Sequence, residues 1–298
     1  MQSGILLVDK PEGPSSAQIV HKVKALLAAK KVGHLGTLDP FASGLLLLGI
    51  NEGTKIADVF LNASKTYRGV MTLGVETDSQ DFTGNVLQLR TVPRVGKEEL
   101  EALQKNFTGE IQQTPPMFSA LKKGGVRLYR LARQGKTVPR PPRSVRVEHL
   151  RLWKTAEAEI EFEVTCSRGT YVRTLAADMG SFLGCGAHLK GLRRLGCGHL
   201  TLDRAMPFAE IERLSSRQAI PLVPLNEALE DVRAIAWDNR LLARLRLGQQ
   251  EVLAQLGTPN AGERLVRILD SRQNLIALTE WREDLAGGRW RLFRVFRE

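Results

Sequence analysis

The chain has 298 residues, 43% of them hydrophobic and 25% charged, a composition that supports a folded core and excludes a disordered chain. Its formal net charge of +11 points to a polyanionic partner. No apolar run is long enough to span a bilayer, Ile5–Val8 lacks the basic leader of a signal peptide, and three cysteines without a C-x-x-C pair exclude a disulfide framework or zinc site, so a reducing cytoplasm is expected.

Residues 4–9 read as a strand. Ser15 and Gln18 form a capping box, and Ile19, Val20, Val23, Leu26 and Leu27 then recur at helical spacing. The loop Gly33-His34-Leu35-Gly36-Thr37-Leu38-Asp39-Pro40-Phe41-Ala42-Ser43-Gly44 follows. It sets one carboxylate, Asp39, beside the wholly apolar run Leu45–Leu48. Asp before Pro is a helix-start pattern, with Asp as N-cap and Pro at the first helical position. The competing reading is a catalytic carboxylate displayed at the edge of the core, and the two are compatible. Residues 45–50 fit a buried strand or a buried helix segment equally well. Tyr67, Gly69, Met71, Leu73 and Val75 alternate with more polar residues, as in a strand with one buried face. Asp78 and Asp81 read as turn residues without calcium-loop spacing. Residues 97–107 fit an amphipathic helix.

Prolines bracket the segment 112–143, which is expected to be an insertion outside the core with a helical piece at 126–134. Between 121 and 151 lie ten basic side chains (Lys122, Lys123, Arg127, Arg130, Arg133, Lys136, Arg140, Arg143, Arg146 and Arg151) against the single acid Glu148. Such a concentrated stripe is the footprint of a nucleic-acid partner. Two strands follow, the second marked by alternation over 156–166. A turn at Ser167–Gly169 leads into a helix over about 170–183. Beyond Pro224 a helix near 237–246 precedes strands at 264–269, 274–281 and 289–296, with turns at Asp270–Asn274 and Ala286–Gly288. The pattern predicts an α+β protein built on a mixed or antiparallel sheet. Residues 1–225 are expected to form one domain carrying the insertion, and 226–298 a small β-rich domain.

The sequence has no phosphate-binding P-loop, no dinucleotide fingerprint and no nucleophile elbow. No cofactor and no metal are expected, so chemistry must run on ordinary side chains. Five ordered blocks carry a resemblance. They are 33–46, Lys65-Thr66-Tyr67 with Leu73–Asp78, Gln113–Lys122 with Tyr129 and Ala132-Arg133, Cys166–Leu175, and Leu183–Leu189 with Leu192–Leu195. Together they resemble the TruB family of bacterial tRNA pseudouridine synthases, and the tail is similar to a PUA-type RNA-binding domain.

The resemblance implies an isomerase that converts uridine 55 in the T-loop of tRNA to pseudouridine after flipping the base. It implies three catalytic residues: Asp39 as the carboxylate, Arg173 paired with it, and Tyr67, which stacks on the target base and helps to remove its C5 proton. His34 and Leu192 would line the nucleotide pocket, and Lys65, Lys122 and Arg194 would bind RNA. Lys190, Arg193 and Arg194 alone read as phosphate ligands or as a solvated helix face. The insertion would close on the T-loop as a thumb, with contacts to T-loop and T-stem. A monomer without membrane contact is expected, with an accompanying tRNA-folding role. Two other readings stand beside this one: a non-enzymatic RNA-binding module, for which the basic stripe suffices, and an rRNA-directed relative of the same chemistry.

Overall fold

The computed structural model describes residues 2–214, 220–284 and 287–296. The chain runs β1 (Gly4–Lys10), α1 (Ser16–Leu26), β2 (Val32–His34), β3 (Ser43–Ile50), α2 (Ala57–Asn62), β4 (Lys65–Leu73), β5 (Val75–Thr77), β6 (Val86–Leu89), α3 (Lys97–Asn106) and β7 (Gly109–Gln113). It continues through β8 (Lys122–Lys123), β9 (Val126–Arg127), α4 (Leu128–Ala132), β10 (Arg143–Ala156), β11 (Glu159–Cys166), α5 (Val172–Phe182), β12 (Ala187–Cys197), β13 (Leu200–Thr201), β14 (Met206–Pro207) and α6 (Phe208–Arg213). Last come β15 (Ala234–Ala236), α7 (Asn239–Arg246), β16 (Leu265–Leu269), β17 (Leu275–Asp284) and β18 (Gly287–Val295).

A ten-stranded sheet in the order β14-β1-β3-β12-β4-β11-β10-β7, with β2 and β13 attached, forms the main body. Only β1–β14 and β3–β12 pair in parallel, so the sheet is mixed and mainly antiparallel, as expected for an α+β fold. Its centre explains the Leu45–Leu48 run. Leu6, Val8, Leu46 and Leu48 enter one core with Ile19, Val23, Met71 and Phe162, while Ile5, Leu7, Leu45 and Leu47 enter a second core on the opposite face. A strand covered on both sides has no polar face to show, which is why alternation vanishes there. At β11, where one face meets solvent, alternation is preserved: Ile160, Phe162 and Val164 are buried between partly exposed glutamates. The capping box of α1 forms as read, with Gln18 N donating to Ser15 Oγ and Ser15 N to Gln18 Oε1.

The four-stranded sheet β15-β16-β17-β18 has its own core around Trp237, Leu242, Ile268 and Trp290. It docks on the main body, for Leu278 and Phe296 join the second core. Arg294 Nη2 reaches Asp58 Oδ2 at 2.7 Å, and Lys55 Nζ donates to the Val295 carbonyl at 2.7 Å. The Asp270–Asn274 turn closes on Asp270 Oδ1, which accepts from the backbone N–H of Arg272 and Asn274. The second expected turn begins at Ala286, which lies outside the described residues. Among the described residues no helix is long and apolar enough to cross a membrane.

Two local expectations are corrected. Pro40 starts no helix. The Ala42 N–H closes a tight turn on the Asp39 carbonyl at 3.1 Å, and β3 begins at once. Asp39 therefore caps nothing, because pairing of β3 with β1 and β12 takes the segment that a helix would have needed. The insertion, expected outside the core, has a buried base: Gln113, Met117 and Ser119 are nearly inaccessible. Its helical piece shrinks to α4, preceded by the hairpin β8–β9.

Candidate active site

The loop between β2 and β3 is pinned from two directions. On one side the Ser16 hydroxyl donates to the Leu38 carbonyl at 3.0 Å and accepts from the Leu38 N–H at 2.9 Å. There too the Gly13 N–H reaches the Pro40 carbonyl at 2.8 Å. Buried Lys10 donates to the carbonyls of Pro11, Pro14 and Pro40 at 2.7, 2.9 and 3.3 Å. Burial depresses its ammonium pKa to about 8, so it still carries charge at neutral pH beside Asp39. On the other side Arg194, 2% exposed, donates to the carbonyls of Leu45, Thr37 and Gly36. Gly44 permits that close approach. Its φ is +98°, and a Cβ there would lie 2.3 Å from the Arg194 carbonyl oxygen.

Asp39 projects from this rigid loop with its side chain 38% exposed. Its Oδ2 meets Arg173 Nε at 3.0 Å, and among the described residues Oδ1 has no hydrogen-bond partner. Arg173 comes from the first turn of α5 and is 7% exposed. Its other nitrogens are held as well. Nη1 donates to the Ser79 carbonyl at 2.8 Å and faces Asp81 Oδ2 at 3.4 Å, and Nη2 donates to the Phe118 carbonyl at 2.8 Å. Asp81 is itself fixed, since its Oδ1 accepts from the hydroxyls of Ser79 and Thr83 and from the Thr83 N–H. One guanidinium thus joins the Asp39 loop, the β5–β6 hairpin, the base of the insertion and α5. Burial lifts the Asp39 carboxyl above the usual aspartate value; Arg173 opposes the rise and the Asp81 carboxylate adds to it. The two carboxylates share one cation, and only Asp39 is open to a substrate.

Tyr67 lies on β4 opposite Arg194 of β12. Burial pushes its phenol up, and the charge of Arg194 opposes that rise. Arg194, opposite Tyr67 in the sheet and bonded to the carbonyls of Gly36, Thr37 and Leu45, stands between the tyrosine strand and the Asp39 loop. His34 stands on β2 opposite Leu48, with a buried Nδ1 that has no partner among the described residues. Burial, then Arg194, depresses its pKa and favours the neutral ring. Leu192, 8% exposed, packs in the first core, and Lys122 is exposed on β8.

Two expected RNA ligands are corrected. Lys65 is 8% exposed and its ammonium donates to the carbonyls of Phe60, Leu61 and Ala63 at 2.9, 2.8 and 2.6 Å. It closes the C-terminus of α2 and keeps no donor for a phosphate. Arg194 is buried behind the loop and engaged with its carbonyls, so it positions the site and does not reach RNA. The segment holding Lys190, Arg193 and Arg194 is strand β12, not a helix, and Arg193 pairs with Asp9 at 2.7 Å. Asp81 and Phe118 were missed as site residues. The turn reading of Asp81 was right locally, but its tie to Arg173 is a contact distant in sequence that no local pattern signals. Among the described residues no three His, Cys, Asp or Glu side chains group as metal ligands. A cavity of about 630 Å³ beside Asn226, Arg246 and the Asp270–Asn274 turn is lined by none of the candidate residues.

Residues 24–172 match the model of the TruB family pseudouridylate synthase N-terminal domain, and residues 173–237 that of the tRNA pseudouridylate synthase B C-terminal domain. The chain is 44% identical over 278 residues to tRNA pseudouridine synthase B of Burkholderia mallei (strain NCTC 10247), covering 92% of each. It is 43% identical over 249 residues to the protein of the same name from Methylobacillus flagellatus, covering 83% of this chain and 82% of that one. In fold it is similar to a chain of a Cbf5-Nop10-Gar1 complex, with a TM-score of 0.72 at 24% identity over 99% of this chain and 85% of that chain. The chain belongs to the TruB family and is a pseudouridine synthase.

Proposed function

We propose that this enzyme converts uridine 55 in the T-loop of tRNA to pseudouridine, with Asp39 as the single catalytic carboxylate and no cofactor. The observation that carries the reading is the asymmetry of Asp39. One oxygen is held by a buried arginine, and the other is free on a loop fixed from both sides. Breaking the bond between uracil N1 and ribose C1′ builds positive charge on the sugar. Asp39 either attacks C1′ or takes the C2′ proton, and both routes need an ionised carboxylate, which Arg173 sustains against burial. The freed uracil turns and C5 bonds to C1′ as the Asp39–C1′ bond breaks or, on the other route, as the C2′ proton returns; the C5 proton leaves and N1 gains one, so the product is an isomer. Hydrolysis would use a second carboxylate to activate water. Asp81 is the one nearby, and it is 5% exposed and engaged by Arg173, Ser79 and Thr83.

Tyr67 would stack on the flipped base, with His34 and Leu192 as pocket walls. Residues 1–225 carry the chemistry in this reading, and residues 226–298 act as a PUA-like RNA-binding domain. Flipping a base out of a folded loop costs a few kcal/mol; phosphate contacts from the basic insertion, Lys122 among them, offset that cost. The same basic surface supports a second role in helping tRNA to fold.

The test is to incubate the enzyme with unmodified tRNA transcript and map pseudouridine by carbodiimide-dependent primer extension. A single modified position in the T-loop is expected. Product elsewhere in tRNA, or product only on rRNA fragments, overturns the assignment.

A further inference from the structure

Phe82 is a large aromatic residue, 51% exposed, between two residues that are not free to move. Asp81 before it is buried and faces Arg173; Thr83 after it is bonded to the Asp81 carboxylate. The backbone is fixed by the Phe82 N–H donating to the Leu189 carbonyl at 3.0 Å and the Leu189 N–H to the Gln80 carbonyl at 3.0 Å. The ring sits edge-on to Phe41, at a centroid distance of 5.7 Å and an interplanar angle of 87°. Phe41 is buried in the first core two residues after Asp39. Phe82 is therefore anchored through its backbone and through its ring on Phe41 of the Asp39 loop, with half of its surface presented to solvent.

We propose that Phe82 is a stacking platform for the nucleobase next to the target uridine. The proposal rests on the reading that a uridine is flipped onto Asp39. Extruding one base leaves its neighbour with an uncovered π-face. An aromatic ring on rigid backbone covers such a face at small entropic cost, and single-stranded and loop RNA is gripped in this way. The ring's place continues the candidate site: the hairpin that carries it also carries Asp81, and its packing partner lies on the Asp39 loop.

The experiment is a double-mutant cycle in binding, read by filter retention with T-loop hairpins, using Phe82→Leu and Phe82→Trp against hairpins intact or abasic beside the target. Leu keeps apolar packing on Phe41 and loses the ring face; Trp keeps a face. For intact RNA, Phe82→Leu should weaken binding roughly 5- to 160-fold, the range of one base–aromatic stack, while Phe82→Trp binds like wild type. Removing the neighbouring base should weaken wild type by a similar factor and leave Phe82→Leu nearly unaffected. Losses that simply multiply overturn the proposal, as does a Phe82→Leu variant that binds like wild type. If Phe82→Leu abolishes self-association in sedimentation while RNA binding is unchanged, the ring serves a second copy and the proposal also falls. Turnover of the intact hairpin by wild type is measured in parallel, so that absence of pseudouridine refutes the proposed function separately from the binding cycle.

Discussion

Replacing Arg173 with Met should cost stability in a way that depends on pH. The guanidinium is 7% exposed and serves two carboxylates and two carbonyls. Two unit charges about 4 Å apart interact by ~4 kcal/mol at an effective dielectric constant of 20, and breaking a buried pair costs about 3–5 kcal/mol. Asp81, 5% exposed, feels nearly the whole effect, whereas Asp39 at 38% exposure is screened and adds about 1 kcal/mol. A loss of about 4 kcal/mol at pH 8 is expected. Met also removes the cation that opposes the rise of the Asp39 pKa. The folded variant then holds a proton that the unfolded chain releases, so its stability recovers as pH falls through the window between the ordinary aspartate value and the raised one. The gap to wild type should narrow as pH falls from 8 toward the ordinary aspartate value, by no more than the ~1 kcal/mol that the screened Asp39 contributes. Urea denaturation followed by circular dichroism at several pH values measures this. A loss below about 1 kcal/mol, or one that is the same at every pH, refutes the electrostatic account of the Asp39–Arg173–Asp81 cluster.

Lys65→Met should lower stability by about 2–3 kcal/mol by stripping three carbonyls at the end of α2, while kcat/KM of the folded enzyme stays within about twofold; a large fall in turnover with stability intact would make Lys65 a substrate contact after all. Gly44→Ala should destabilise by ~3 kcal/mol or more, from its positive φ and the clash with the Arg194 backbone, and a thermal melt like wild type would contradict this. Asp178 is half-buried without a partner among the described residues, and burial raises its carboxyl to about 6. Folding favours its protonated form, so its contribution falls as pH rises from the ordinary aspartate value to about 6. Asp178→Asn should stabilise the protein by about 1 kcal/mol above that window, after allowance for solvent screening, and by nothing at pH 4. An advantage that is independent of pH would point to another cause.

The sequence was most legible where chemistry is local. The capping box of α1, the alternation of β11 and the Asp270 turn each depend on neighbours within a few residues, and each is found. The Leu45–Leu48 run was undecidable because burial on both faces erases periodicity. Asp39 was readable as a displayed carboxylate, but its cap reading failed because sheet pairing took the segment first. Lys65 and Arg194 show the harder limit. The resemblance makes both of them RNA ligands, and only tertiary packing shows that one closes a helix and the other braces a loop. Arg173 was identified by resemblance, whereas Asp81 and the Phe118 carbonyl, which complete its shell, lie on segments brought together by the fold alone.

The most direct test of the central claim is tritium release from tRNA labelled at uracil C5, measured for wild type and Asp39→Asn. Forming the C5–C1′ bond must expel that hydrogen. Asp39 caps no helix, and its Oδ1 accepts no hydrogen bond among the described residues, so Asn should leave a folded protein that still binds tRNA. Release is expected from wild type and none from Asp39→Asn. Release by the Asn variant would show that the chemistry runs without this carboxylate.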